Sequence, residues 1–247
     1  MFRVGVMGAK GRMGSEVCRA VEAAPDMSLV AAFDAGDSIF SMKSEGANVV
    51  VDFTNGEAAL THLKWLVENG VHAVVGSTGI SADGLDQVRA LCSANPGVGV
   101  LIAPNFSIGA LLMMRFAADA ARFFESTEII ELHHPMKKDA PSGTAKLTAE
   151  RIAAARAAAG MAAQPDATES SLPGARGAEV AGIPVHSVRL TGLVAHQEVL
   201  FGTEGETFTI RHDSLDRKSF MPGVLAGIRE VVNHPGVTVG LEHYLGL

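Results

Sequence analysis

The sequence lacks the features of a disulfide-stabilised or membrane-spanning protein. Only two of its 247 residues are cysteines, Cys18 and Cys92, and both fall within predicted helices. We therefore expect no disulfide framework and predict the cytoplasm as the compartment. No apolar run has the length of a membrane span, because the stretch 108–118 is broken by Arg115 and Asp119. We therefore expect no membrane partner.

Positive charge is scarce as well. The 20 lysines and arginines are outnumbered by 27 aspartates and glutamates, which gives a formal net charge of −7. A protein held to nucleic acid by phosphate contacts needs a basic surface, so we expect no nucleic-acid partner, although a local cationic pocket can still bind an anionic small molecule. Residues 1–6 are predicted to form a strand and not a signal peptide. The hydrophobic content of 47% is typical of a globular chain with room for two modest domains.

The first 34 residues have the pattern of a dinucleotide-binding βαβ unit. A predicted strand at 2–7 leads into the turn G-A-K-G-R-M-G (8–14), and a helix and a second strand at 29–33 follow. The glycine spacing is one residue longer than the usual fingerprint, and such a string alone also fits a plain tight turn. Its place between a strand and a helix, with Asp34 twenty residues beyond Gly14, favours a pyrophosphate at the helix N-terminus and a ribose at the carboxylate.

The alternation of strands and helices continues to about residue 106. Apolar strands are predicted at 49–53, 72–75 and 98–103, with helices between them. Such alternation implies a parallel sheet that binds its ligand beyond the carboxyl ends of the strands. Small and polar residues collect at those ends: Gly8, Asp34, Thr54, Gly76, Ser77, Thr78, Ala103, Asn105 and Phe106.

The second half of the chain predicts a separate sheet. The elements expected there are a helix at 108–124, a strand at 126–133, an alanine-rich helix at 143–159, strands at 185–190, 198–202 and 207–211, and a helix at 220–232. Residues 160–184 are predicted to have no regular structure, 202–206 to form a hairpin, and 237–241 to return to the first domain. We therefore predict an α/β protein with a Rossmann-like dinucleotide-binding domain (1–106 and 215–247) and an α+β substrate and oligomerisation domain (107–214). The open mixed sheet of the second domain favours a homo-oligomer.

The stretch from Glu131 to Thr144 concentrates chemically active side chains. It reads E-L-H-H-P-M-K-K-D-A-P-S-G-T and ends in small residues at a predicted helix start, whose amides can hold an anion. Imidazoles, ammonium groups and a helix N-terminus in one loop predict a pocket for a carboxylate or phosphate. The alternative is a solvated strand end. We expect no metal, because adjacent histidines diverge on a strand and no cysteine lies nearby.

With these residues in view, the chain resembles the dihydrodipicolinate reductases, also called 4-hydroxy-tetrahydrodipicolinate reductases, of bacterial lysine and diaminopimelate biosynthesis. The resemblance covers essentially the full length. The strings that carry it are G-A-K-G-R-M-G (8–14), V-D-F-T (51–54), G-S-T-G (76–79), A-P-N-F-S-I-G (103–109) and E-L-H-H-P-M-K-K-D-A-P-S-G-T-A (131–145). The last of these strings is the most specific to the family.

The resemblance implies a tetrameric reductase that uses NADH or NADPH to convert 4-hydroxy-tetrahydrodipicolinate, a cyclic imine dicarboxylate, to tetrahydrodipicolinate. By the same likeness, His133 is the proton donor and acceptor, Lys137 is a proton donor, and His134, Gly143 and Thr144 bind the substrate. The implied cofactor-binding residues are Gly8, Ala9, Lys10, Gly11, Arg12, Met13, Asp34, Gly76, Ser77, Thr78, Ala103, Pro104, Asn105 and Phe106. Arg217 is left with two roles, an anion contact or a surface arginine.

One position departs from the family members that favour NADPH. There an arginine beside the acidic residue can receive the 2′-phosphate, whereas in this chain Asp34 is followed by Ala35. A carboxylate without an adjacent cation favours NADH by repelling that phosphate. Because Lys10 and Arg12 can partly compensate, we predict that both cofactors are used, NADH at least as well as NADPH.

Two other functions compete with this interpretation. A two-domain dehydrogenase acting on an amino-acid semialdehyde would need a cysteine nucleophile in an exposed turn, and both cysteines fall in helical patterns. A nucleotide-sensing regulator that had lost its chemistry would have degraded loops, yet His133, Lys137 and the S-G-T string are all present.

Overall fold

The structure is a computed structural model that describes residues 1–39, 41–77 and 79–247, with only the backbone of residue 43. The chain divides into two compact units, the first formed by Met1–Ile108 with Arg217–Leu247 and the second by Gly109–Asp216. Within the described residues, no helix combines the length and the apolar character needed to cross a membrane.

Strands and helices alternate along most of the chain. In sequence order they are β1 (Phe2–Met7), α1 (Gly14–Ala23), β2 (Met27–Phe33), α2 (Ser41–Ser44), β3 (Val49–Asp52), α3 (Gly56–Glu68), β4 (His72–Val75), α4 (Ala82–Ala94), β5 (Gly99–Ile102), α5 (Ile108–Ala121), β6 (Ser126–His133), α6 (Gly143–Ala158), β7 (Ala178–Val180), β8 (Ile183–Arg189), β9 (Ala195–Thr203), β10 (Glu206–Ser214), α7 (Met221–Glu230), β11 (Gly236–Val239) and α8 (Glu242–Leu245). Short 3-10 helices at Arg217–Phe220 and Val231–Asn233 flank α7.

The first unit contains a six-stranded parallel sheet in the order β11-β5-β4-β3-β1-β2. All four residues of β3 are buried, as expected for a parallel strand covered on both faces. The chain leaves β1 for β2 on one side and later returns to β3 on the other, so the switch point of the sheet lies between β1 and β3. Ligands of such sheets bind at this point, beyond the carboxyl ends of the strands. The predicted Rossmann-like sheet is confirmed.

The C-terminal segment completes this sheet. Strand β11 pairs with β5 in parallel, with Val237 opposite Val100, so the predicted return of the tail to the first domain is confirmed. Arg229 on α7 forms two hydrogen bonds with the carboxylate of Asp26, just before β2, at 2.8 and 3.0 Å. The single helix predicted at 220–232 is wrong in detail, because α7 ends at Glu230 and a 3-10 turn follows.

The second unit contains a five-stranded mixed sheet in the order β10-β9-β6-β8-β7. Strand β6 pairs in parallel with β8 and antiparallel with β9. Ile129, Val185 and Val199 point to the same face and are buried together with Ile152 of α6. Side chains on the opposite face, including Ile130 and those of the residues paired with it, are only half-buried. The predicted open mixed sheet is confirmed.

The segment 160–184 is more ordered than its composition predicts. Strand β7 forms within it, and β8 begins at Ile183 instead of 185. Ala181 and Gly182 connect the two strands and both have positive φ, 51° and 80°, the conformation of a two-residue hairpin turn. Gln164 anchors the segment, since its amide donates to the Gly182 carbonyl at 3.2 Å and its side-chain oxygen accepts from the Thr127 amide. The predicted hairpin at 202–206 is confirmed by pairing of Thr203 with Glu206.

Candidate active site

A cleft of about 380 Å³ lies at the switch point of the parallel sheet. We call it the nucleotide cleft. It is lined by Met7, Gly8, Gly11, Asp34, Ala35, Gly36, Asp37, Phe53, Thr54, Asn55, Ala58 and His62. Three of the predicted cofactor residues, Gly8, Gly11 and Asp34, therefore lie in its wall.

The glycine-rich turn fits a dinucleotide because the backbone leaves no room for a Cβ atom at Gly8 or Gly14. Gly8 has φ of 75°, and a Cβ there would lie 2.9 Å from the carbonyl oxygen of Phe53. A Cβ on Gly14 would lie 2.0 Å from the carbonyl oxygen of Gly8, far inside van der Waals contact. The Gly11 amide donates to the same carbonyl at 3.0 Å, which closes the turn directly before α1. The backbone thus approaches the cleft with a helix N-terminus behind it, as a diphosphate requires.

Asp34 is held at the cleft as an ionised carboxylate. Its Oδ1 accepts the Ala35 amide at 2.8 Å and its Oδ2 accepts the Lys10 amide at 2.7 Å. These backbone hydrogen bonds hold the pKa of Asp34 below its usual value. Its own amide donates to the carboxylate of Asp37 at 2.8 Å, so two carboxylates stand side by side. These two carboxylates can accept hydrogen bonds from the hydroxyls of a ribose, and their negative charge disfavours an added phosphate.

Asp52 lies behind the lining of the cleft and holds two of its residues, Thr54 and His62, although no sequence pattern assigned it a role. Only 1% of it is exposed. Its carboxylate accepts the Thr54 hydroxyl at 2.6 Å and the Ser77 hydroxyl at 2.9 Å, and it pairs with His62 Nδ1 at 2.6 Å. Burial raises the pKa of Asp52, but the hydrogen bonds from His62 and Thr54 outweigh burial and lower it. The signal in the sequence was a carboxylate at the end of the apolar run V-V-V.

The other predicted cofactor residues lie in the turns around these strands. Ala9 is buried, Lys10 and Arg12 are exposed, and Met13 is half-buried before α1. The Gly76 amide donates to the Asp52 carbonyl at 2.9 Å, and the Ala103 amide donates to the Val75 carbonyl at the same distance. Pro104 is exposed, Asn105 accepts the Ser107 amide at 2.8 Å, and buried Phe106 packs on Phe53 with ring centroids 5.6 Å apart. Thr78 lies outside the described residues.

The second candidate region is the turn between β6 and α6, residues 133–144, which we call the catalytic turn. His133 is the last residue of β6 and shares a face with Glu131, two residues earlier. The Nδ1 of His133 lies 2.5 Å from Glu131 Oε2. Because an ionised carboxylate only accepts hydrogen bonds, Nδ1 carries the hydrogen and Nε2 is left to exchange a proton.

Glu131 is fully buried and ionised. Burial raises its pKa, but hydrogen bonds from His133, Arg189 and Ser187 outweigh burial and lower the pKa from 4.5 to about 2. The two Nη atoms of Arg189 both donate to the Glu131 carboxylate at 2.8 Å, and the Ser142 amide donates to it at 3.2 Å. The sequence singled out neither Glu131 nor Arg189 for a role.

Lys137 is tethered inside the catalytic turn. Its Nζ donates to Asp139 Oδ1 at 2.6 Å, and its amide donates to the carbonyl of His134 at 3.2 Å. Hydrogen bonds from Lys137 and from the Gly143 amide hold the pKa of Asp139 low. Asp139 therefore occupies Lys137, which the resemblance predicts as a proton donor, and the amide of Gly143, which it predicts for substrate binding.

The start of α6 follows directly. Buried Ser142 caps the helix, since its hydroxyl accepts the Ala145 amide at 3.1 Å. Gly143 and Thr144, both predicted to bind substrate, are the first two residues of the helix, where amides and the helix dipole favour an anion. His134 is half-buried, Lys138 is exposed, and Arg217 begins the short helix 217–220 in the first unit.

Comparisons with known proteins identify the same family for both units. The family described as "Dihydrodipicolinate reductase, N-terminus" matches residues 2–106, and "Dihydrodipicolinate reductase, C-terminus" matches residues 109–245. The 4-hydroxy-tetrahydrodipicolinate reductase of Nocardia farcinica is 62% identical, covering 100% of this chain and 99% of the relative. The enzyme of the same name from Corynebacterium efficiens is 60% identical with the same coverage.

A solved structure gives the same result at the level of the fold. The dihydrodipicolinate reductase of Paenisporosarcina sp. TG-14, solved with dipicolinate bound, is similar with a TM-score of 0.88 and 39% identity, covering 98% of this chain and 99% of that chain. With two matched halves and relatives at about 60% identity, the chain belongs to the dihydrodipicolinate reductase family.

Proposed function

We propose that this chain catalyses the reduction of 4-hydroxy-tetrahydrodipicolinate to tetrahydrodipicolinate with NADH or NADPH, in lysine and diaminopimelate biosynthesis. The observation that carries this proposal is the family match over both units. Each unit also holds the groups that such a reaction needs, a nucleotide cleft in the first and a proton-exchanging turn in the second. The cytoplasm is the proposed compartment.

The chemistry requires a hydride, a proton and a leaving hydroxyl. Product differs from substrate by loss of the 4-hydroxyl, so the net reaction takes up one hydride and one proton and releases one water. When bound, the reduced nicotinamide supplies the hydride. The protein must bind two carboxylates, stabilise negative charge that develops on the reduced ring system, and deliver the proton.

His133 and Lys137 are the proposed acid–base groups. Glu131 orients the His133 ring through Nδ1, which assigns proton exchange to Nε2. The Lys137 ammonium stabilises developing negative charge and donates a proton. Asp139 holds that ammonium in a defined place at 2.6 Å before substrate binds, so the substrate carboxylate competes with an internal one.

His134, Gly143 and Thr144 are proposed to bind the substrate dicarboxylate. The capped start of α6 offers backbone amides and the positive end of a helix of sixteen residues. The His134 imidazole in the same turn adds a hydrogen-bond donor. A monocarboxylate analogue would lose part of these interactions and is expected to bind more weakly.

Use of both cofactors is the finer part of the proposal, with NADH used at least as well as NADPH. Asp34 and Asp37 support it, since both carboxylates line the nucleotide cleft and repel a 2′-phosphate. Lys10 acts in the opposite sense, because its charge contributes to the low pKa of Asp34 and therefore lies close to that carboxylate. The ratio of kcat/KM for the two cofactors tests this. A preference for NADPH above about tenfold would contradict the argument from repulsion.

A homotetramer is the proposed assembly. Its support is the sheet face opposite α6, where Ile130, Leu132, Val188 and Leu200 are half-buried in the isolated chain. A second copy would cover this apolar area. The molar mass in solution, measured by light scattering after gel filtration, gives four times the chain mass of 25.7 kDa if the proposal is right. A concentration-independent monomer contradicts it.

The decisive test of function is turnover of freshly generated substrate, followed by loss of the absorbance of the reduced nicotinamide. His133→Gln and Lys137→Ala are expected to lower kcat by about 10² or more. Lys138→Ala is the matched control, an exposed neighbour expected to keep normal turnover. The proposal fails if both test variants bind cofactor and retain near-full turnover, which is the outcome expected of a nucleotide-sensing regulator.

A further inference from the structure

The buried carboxylate of Glu131 lies on β6 just before the catalytic turn, and it accepts hydrogen bonds both from structural groups and from the proposed acid–base residue. Glu131 Oε1 accepts Arg189 Nη2 at 2.8 Å and the Ser142 amide at 3.2 Å. Its Oε2 accepts Arg189 Nη1 at 2.8 Å and lies 2.5 Å from His133 Nδ1. Of these four bonds, two come from a bidentate guanidinium, one from the start of α6 and one from the proposed acid–base residue, and the Ser187 side chain adds a further one.

Stability alone is a weak explanation for a buried ion pair of this kind. Removing two charges from water is costly, and apolar residues of similar volume often stabilise a protein as well or better. Apolar residues such as Ile129 and Val199 are fully buried on the same face of this sheet. The contact with His133 supplies a different reason for the carboxylate.

Arg189 reaches beyond the carboxylate. Its Nη2 also donates to the carbonyl oxygen of Asp139 at 2.7 Å, and its Nη1 donates to the carbonyl oxygen of Val188 at 2.8 Å. Asp139 in turn holds Lys137. Arg189 pairs with His133 in the parallel register of β6 and β8, so one guanidinium connects the end of β8, the buried carboxylate and the turn that carries the lysine.

We infer that Glu131 and Arg189 form a positioning pair that fixes the Nδ1–H tautomer of His133 and the place of the turn carrying Lys137. This inference rests on the proposed function for its kinetic consequences and on geometry alone for the tautomer. Neither residue is required to touch substrate. Glu131 acts through His133, and Arg189 acts through Glu131 and through the backbone of Asp139.

The chain offers a matched control. Glu128 lies on the same strand and pairs with Arg176 at 2.6 Å and with His186 Nε2 at 2.7 Å. It is therefore a second carboxylate with one arginine and one histidine partner, but on the opposite face of the sheet. Glu128→Gln and Arg176→Lys repeat the chemistry of the test substitutions away from His133, and their molar mass in solution is matched to that of the parent because Glu128 shares the face proposed to be covered in the tetramer.

The kinetic test compares Glu131→Gln with Glu128→Gln. We expect Glu131→Gln to lower kcat by about 10² with cofactor affinity within about twofold of the parent, and Glu131→Asp to recover part of that loss. Arg189→Lys keeps the positive charge but loses the pair of donors that binds the carboxylate. It should lower kcat and raise the substrate KM together, because the turn that carries Lys137 is no longer held in place. Glu128→Gln and Arg176→Lys should stay within about threefold in every constant. A folded Glu131→Gln protein with kcat within about threefold of the parent overturns the inference.

A second measurement needs no variant and no turnover. In the ¹⁵N-labelled parent protein, the chemical shifts of the His133 ring nitrogens at neutral pH report which one carries hydrogen. The inference requires hydrogen on Nδ1, and a resting Nε2–H tautomer refutes it even if the enzyme is active. If the parent protein turns over no substrate but shows the Nδ1–H tautomer, the proposed function fails while the positioning geometry stands.

Discussion

The Glu131 carboxylate makes a quantitative prediction about acid stability. Its pKa is lowered from 4.5 to about 2 in the folded chain, so the folded state favours the ionised form more than the unfolded state does. A group with a depressed folded pKa contributes stability that is present above its unfolded pKa and is lost as the pH falls towards its folded pKa. The difference corresponds to about 3 kcal/mol in total, of which about 1 is lost by pH 4 and about 2 by pH 3.

The perturbation that isolates this contribution is Glu131→Gln, which cannot titrate. Urea unfolding of parent and variant, at fixed protein concentration and at several pH values between about 6 and 3, gives the difference in unfolding free energy. Far-UV circular dichroism is the suitable signal, because the only tryptophan and the only tyrosine, Trp65 and Tyr244, both lie in the first unit. The parent should lose about 2 kcal/mol more than the variant between pH 6 and pH 3. Parallel pH profiles for the two proteins would show that the carboxylate is not held as described.

Three further substitutions test other parts of the structure. Gly14→Ala places a Cβ 2.0 Å from the Gly8 carbonyl and should abolish cofactor binding in calorimetry, whereas unchanged affinity would disprove the tight turn. Asp52→Asn weakens a buried network and should destabilise the first unit by about 1–3 kcal/mol, measured by fluorescence of Trp65; an unshifted transition contradicts this. Asp139→Asn removes the internal competitor for Lys137 and should tighten binding of pyridine-2,6-dicarboxylate severalfold by titration calorimetry, and weaker binding would refute that competition.

The first unit was predictable because its main features depend on residues that lie close together in the sequence. Buried parallel strands appear as short apolar runs such as 49–51, and the runs end in small or polar residues that lie at the same edge of the sheet. The glycine turn is likewise explained by one contact, the closeness of Gly14 to the Gly8 carbonyl. Sequence spacing encodes both features directly.

The second unit was predictable only in part. Strand β7 has three residues, A-E-V, in a segment rich in glycine and proline, and it exists because it pairs with β8. No periodicity can develop over three residues. In the first unit, the end of α7 was misplaced for a different reason, since apolar residues continue past Glu230 while the backbone tightens into a 3-10 turn.

The candidate site shows a similar limit. His133 and Lys137 stand out in the sequence because they are close together and belong to a specific string. Arg189 lies 58 residues from Glu131, and only the parallel register of β6 and β8 brings them together. Similarly, the pairing of Asp52 with His62 depends on how α3 packs over β3. Long-range hydrogen bonds of this kind leave no pattern in local spacing.

The pairing of Glu131 with Arg189 also has a consequence for folding accuracy. Alternate residues of a strand point to opposite faces, so sliding β8 by one position against β6 would carry the guanidinium to the wrong side. The carboxylate would then be sealed inside the protein with no positive partner, a state that typically costs about 3–5 kcal/mol. The buried ion pair therefore adds to the free-energy cost of a shifted β6–β8 register, a cost that does not depend on any ligand.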